Sequence, residues 1–118
     1  MNIENKLPYI DEYIELIPDL VFIKNIEGRY IHFNQIFLDF INKTREEVLD
    51  KTDLDIFEEI NAKEFIKIDK EIIEKYKIKK FQETFLQANG EYAYFTTTKE
   101  VMYNNKGDKV GLFCMLEI

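Results

Sequence analysis

The stretch Leu20-Val21-Phe22-Ile23-Lys24-Asn25-Ile26-Glu27-Gly28-Arg29-Tyr30-Ile31-His32-Phe33-Asn34-Gln35-Ile36-Phe37 decides the fold. Leu20 to Ile23 is a short apolar run with β-branched and aromatic side chains, the composition of a strand. Ile26-Glu27-Gly28-Arg29 reads as a tight turn, with Gly28 supplying the positive φ that such a turn requires. Tyr30 to Phe33 is the antiparallel return. Asn34 then stands where a helix cap belongs, ahead of Phe37, Leu38 and Ile41 at helical spacing.

On the N-terminal side, Ile3, Leu7, Ile10, Ile14 and Ile17 recur at intervals of four, three, four and three. That is the stripe of an amphipathic helix with the period of a coiled-coil seam. Two heptads are too short to stand alone in water. The stripe therefore needs a partner, either the domain's own sheet or the same helix of a second chain. Pro8 suits a first helical turn and Pro18-Asp19 ends the helix.

On the C-terminal side, Thr44-Arg45-Glu46-Glu47 has the form of a capping box ahead of Val48 and Leu49. Thr52-Asp53-Leu54-Asp55 offers a second start before Ile56 and Phe57. Phe65, Ile68, Ile72 and Tyr76 predict the longest helix, from about Asn61 to Tyr76. The period then changes. Phe81 to Leu86 reads as a strand, Asn89-Gly90 as a hairpin turn, Tyr92 to Tyr103 as a long strand, Asn104 to Asp108 as a turn and Val110 to Ile118 as a last strand. The class is α+β: a five-stranded antiparallel sheet with helices packed on one face. Residues 1–18 form the N-terminal helix and residues 19–118 the domain.

The 118 residues carry 16 Lys+Arg against 23 Asp+Glu, a net charge of −7. Nucleic-acid binding draws on clustered basic residues. The densest such stretch, Lys75, Lys77, Lys79 and Lys80, is flanked by Glu71, Glu74 and Glu83 and reads as a solvated, charged helix end. No nucleic-acid partner is expected. No apolar run approaches the ~20 residues of a membrane span, so a soluble, cytoplasmic chain without membrane contact is expected.

His32 is the single histidine and Cys114 the single cysteine. Nucleophilic catalysis needs a nucleophile, a base and an orienting group together, and no motif supplies them. Glu46-Glu47 and Glu58-Glu59 are adjacent pairs, which diverge on a helix. No enzymatic activity and no metal site are expected.

The order of elements and several residues resemble the PAS domain family of sensory modules. The likeness runs from about Tyr13 to Ile118. It is carried by Gly28-Arg29 before Tyr30 to Asn34, by Asn34-Gln35-Ile36-Phe37, by Thr44 to Leu49, by Asn89-Gly90-Glu91, and by Asn105-Lys106-Gly107 with Val110-Gly111. Asp50 stands where the family often has Gly. The chain stops at Glu117-Ile118, where the family's connector to an output domain often begins with Asp-Ile-Thr, as if the module had been excised from a longer protein.

The resemblance implies a signal-input module attached to an effector such as a histidine kinase or diguanylate cyclase in a bacterial protein. It also implies a pocket between sheet and helices. Phe22, Phe33, Phe37, Ile68, Ile72 and Thr97 are the candidate ligand-binding residues, in an interior lined by phenyl rings with no reactive group. The long helix has no His for haem, and neither the flavin-type nor the photoactive-yellow-type Cys is present, so no cofactor is expected. A ligand-free homodimerisation module, zipped through Ile3, Leu7, Ile10, Ile14 and Ile17, is the alternative.

Overall fold

The structure, a computed structural model, describes residues 9–118. Helix α1 (Ile10–Glu15) leads into strands β1 (Leu20–Asn25) and β2 (Tyr30–Phe33). Helices α2 (Gln35–Ile41), α3 (Arg45–Val48), α4 (Asp53–Ile56) and α5 (Glu59–Lys75) follow. Strands β3 (Ile78–Leu86), β4 (Tyr92–Tyr103) and β5 (Lys109–Glu117) complete a sheet of order β2-β1-β5-β4-β3, antiparallel throughout. Helices α2 to α5 cover one face of this sheet, the expected architecture.

The first hairpin forms as its residues dictate. Gly28 sits at φ +82°, and Asn25 closes the turn by accepting from Glu27 N and Arg29 N. Asn34 does more than cap α2. Its Oδ1 accepts from Phe37 N and Val21 N, while Nδ2 donates to Ile14 O and Asp19 O. One buried amide thus fixes the mutual positions of α1, β1 and α2, because buried backbone groups need partners. The capping box at Thr44/Glu47 forms in both directions, and at Thr52 the Asp55 carboxylate accepts from the Thr52 backbone N–H and hydroxyl.

The sequence reading needs three adjustments. Strand β3 begins at Ile78 and not at Phe81, so Lys79 and Lys80 belong to an edge strand and not to a helix end. Its nine-residue register with β4 outweighs local charge, and lysine on an exposed edge discourages pairing with another chain. Helix α5 starts two residues early, at Glu59. The described part of the N-terminal helix is only α1, and Ile3 and Leu7 lie outside the described residues.

Ile14 is 1% exposed within its own chain, and Ile10 and Ile17 are half-buried. The side of α1 left in solvent carries Tyr9, Tyr13 and Leu16. Strand β5 runs close to β1 at Gly111, where a Cβ would collide with the carbonyl oxygen of Lys24. Glycine there permits the two strands to approach.

Candidate functional site

Alternation along the strands sends Leu20, Phe22 and Lys24 of β1 to the helix-covered face. Phe95, Thr97, Lys99 and Val101 of β4 and Leu112, Cys114 and Leu116 of β5 join them, as the strand register requires. Between these side chains and the helices lies a cavity of about 40 Å³. Phe22, Phe37, Phe40, Phe57, Phe85 and Phe95 form its apolar wall. Rings meet edge-on, tilted or stacked around it, with Phe40 and Phe95 centroids 5.2 Å apart, Phe22 and Phe37 4.8 Å apart and Phe65 stacked on Phe85.

Lys24, Lys99, Glu83 and the Tyr30 ring also line the cavity. Lys24 Nζ is 2.6 Å from Asp53 Oδ2 on α4 and 2.7 Å from Asp69 Oδ2 on α5. Lys99 Nζ donates to Asp69 Oδ1, and the Tyr30 hydroxyl donates to Asp53 Oδ1 at 2.5 Å. The Lys24 ammonium also lies 4.9 Å from the centre of the Tyr30 ring, a cation–π distance. Lys24, Asp53, Asp69 and Lys99 are each no more than 8% exposed. Buried charges of this kind persist only when paired. The interior therefore holds paired charged groups as well as the expected phenyl rings.

The field inside the cluster is visible in the proton affinities. Burial alone would lower the pKa of Lys24, but Asp69 and Asp53 overcome it and hold the ammonium above its ordinary range. Burial acts against the Asp69 carboxylate too, and Lys99 with Lys24 reverses it, leaving Asp69 below the usual value. Burial pushes the Cys114 thiol up to about 12, so it is a protonated, apolar neighbour of the lysines and not a nucleophile.

Of the six residues put forward for ligand contact, Phe22 and Phe37 line the cavity. Phe33 is buried behind Phe37, ring centroids 6.3 Å apart, with the Arg45 guanidinium over its outer side. Ile72 is core, and Ile68 packs against that core. Thr97 does face inward and is fully buried, but its hydroxyl donates to Glu83 Oε1 at 2.9 Å.

Lys24, Asp53, Asp69, Glu83 and Lys99 went unremarked as site residues, yet parity marks four of them. Lys24 follows Leu20 and Phe22 at two-residue steps, Lys99 follows Phe95 and Thr97, and Glu83 lies between Phe81 and Phe85. Asp69 falls four residues after Phe65 and three before Ile72. A charge on the core-facing position of a strand or helix was the available signal. His32 and Cys114 point to opposite sides of the sheet, and His32 Nδ1 lies 2.8 Å from Asp11 Oδ1 on α1.

Comparison with known proteins gives one family and one fold. No curated protein matches the sequence. The PAS domain of BvgS from Bordetella pertussis superposes with a TM-score of 0.83 at 17% identity, covering 98% of this chain and 88% of that one. VqmA bound to DPO superposes at 0.78 with 20% identity, over 95% of this chain and 56% of that one, so the chain spans little more than half of VqmA. A PAS domain from a two-component sensor histidine kinase gives 0.69 at 13% identity, with 97% and 96% covered. A family model for the PAS fold matches residues 14–117, nearly the whole chain. This protein belongs to the PAS family and is a PAS sensory domain.

Proposed function

We propose that the domain is the input module of a bacterial signalling protein and that the cavity between sheet and helices is its site for a small organic ligand. The observation that carries this reading is the cavity itself. It is lined by phenyl rings together with two buried lysines, the mix of apolar surface and few polar groups that small-molecule sites use. The likeness to VqmA, solved with DPO, and to the sensor of a histidine kinase supports the same reading. A ligand acts by favouring one of two arrangements of α4 and α5 against the sheet. The attached effector, of the histidine kinase or diguanylate cyclase type, then reads that arrangement.

Native mass spectrometry of the purified chain tests the proposal. A retained small molecule, or a thermal shift with a compound from a small-molecule panel, is the expected result. An unliganded mass together with a flat panel would overturn it. Deleting the module from its parent protein should change output, and unchanged output would remove the signalling role.

A second reading, self-association, is favoured by one observation. Tyr9, Tyr13 and Leu16 form an exposed apolar stripe on α1, at 57%, 56% and 80% exposure. Sedimentation should show dimers for the wild type and monomers for Tyr13→Asp. A wild type that remains monomeric at high concentration dismisses it.

A further inference from the structure

A cleft of about 480 Å³ opens between the turn of the first hairpin, α4 and α5. Small-molecule sites usually measure about 300 to 1,000 Å³, so the cleft has the size of one. Lys24 is the one side chain that borders both this cleft and the inner cavity. The apolar walls are Ile26 from the turn, Leu54 from α4, Ile66 and Ile73 from α5, and Leu112 from β5. Ile26, Leu54 and Ile66 are 44%, 55% and 40% exposed. Three elements thus turn large apolar side chains toward one space, and a body seated there removes their surface from water.

Charge decides what that body carries. Lys24, Asp53 and Asp69 also line the cleft, but they are buried and, with Lys99, already neutralise one another. The remaining charged lining groups are exposed: Glu27 on the turn, and Lys70 and Glu74 one helical turn apart on α5. Two carboxylates against one ammonium leave the rim negative, on a chain of net charge −7. Such a rim repels an anion and draws a cation. Exposed ion pairs are weak, so the discrimination it gives is modest.

We infer that this cleft is a binding site, separate from the inner cavity, for a small organic amine whose apolar body covers Ile26, Leu54 and Ile66 and whose ammonium is drawn by Glu27 and Glu74. The inference goes beyond the reading of the inner cavity and stands independently of it.

Cyclohexylmethylamine, cyclohexylmethanol and cyclohexanecarboxylate share a ring and differ in charge, and each is titrated into the whole 118-residue chain at neutral pH and low salt. The amine should bind about threefold more tightly than the alcohol and about tenfold more tightly than the carboxylate. Raising the salt to about 1 M should close the gap between amine and alcohol. In methyl NMR spectra the amine should shift Leu54 and Ile66 and leave Leu20 and Leu116, which line the inner cavity, in place. Glu27→Gln/Glu74→Gln alters two exposed side chains and should erase the preference for the amine while the affinity for the alcohol stays the same. Equal binding of the three compounds, or a preference kept in the double variant, overturns the selection by charge. Shifts at Leu20 and Leu116 in place of Leu54 and Ile66 overturn the location. Failure of all three compounds to bind overturns the site, while the inner cavity is decided by its own mass measurement.

Discussion

Asp69 on α5 accepts a hydrogen bond from Lys24 on β1 at 2.7 Å, although 45 residues separate them in sequence. Its other oxygen accepts from Lys99 on β4. One carboxylate thus joins the long helix to two strands that are not neighbours in the sheet.

Replacing Asp69 with Asn keeps the size and removes the charge. Lys24 would then keep Asp53, while Lys99 would lose its carboxylate hydrogen-bond partner. Breaking a buried pair from one side typically costs about 3 kcal/mol or more. Urea unfolding of Asp69→Asn should show a loss of about that size with the m-value unchanged. A loss below about 1 kcal/mol would mean that the cluster is solvated in solution.

The same groups set the pH range of stability. Asp69 binds its proton more weakly in the folded chain than in the unfolded one, so its contribution is present above the unfolded pKa and lost as pH falls through the folded value. Lys24 holds its proton more tightly when folded. Its contribution is complete below its ordinary value of 10.5 and is lost above it. Cys114, pushed from its ordinary 9.0 to about 12, stays protonated in the folded state while the unfolded thiol ionises. Stability therefore declines from about pH 9 upward, with a separate decline below about pH 4. Thermal melts across pH 3 to 11 should show a plateau between those limits. In Cys114→Ala the alkaline decline should begin later, and an unchanged onset would contradict the assignment.

Asp50 occupies a left-handed conformation at φ 64°. This is the position where the PAS family often has glycine, and the backbone explains why. Asp50 N donates to Tyr30 O, and Tyr30 N donates to Lys51 O, so the chain must reverse there. Aspartate tolerates that region at a cost. The side chain is exposed, and the Arg29 guanidinium bonds only the Asp50 carbonyl, which any residue keeps. Asp50→Gly should therefore raise stability by about 0.5 kcal/mol, a Tm increase of about 3 °C for a domain of this size. A lower Tm would show that the entropy of the added glycine outweighs the relieved strain.

Local chemistry made much of the fold legible. Gly28, Asn34, Thr44, Thr52 and Asn89-Gly90 each announce a turn or a cap whose bonds lie within a few residues, and each forms as read. The limits of β3 were less visible, because Ile78-Lys79-Lys80 joins a strand only through β4, across a hairpin. Periodicity on α1 identified the buried side at Ile14 but could not say whether the cover would be the chain's own sheet or a second chain.

The candidate site divides along the same line. Phe22 and Phe37 were within reach because aromatic residues on core-facing positions predict an apolar interior. Thr97 was correctly placed inside, but its partner proved to be Glu83, fourteen residues away. What the sequence determined by itself was the succession of strands, turns and capped helices, since those rest on contacts between near neighbours. The tertiary structure alone decided that Lys24, Asp53, Asp69 and Lys99 would meet. Each is a charge that no local pattern can neutralise, and only the closing of helices over the sheet brings its counter-charge within bonding distance.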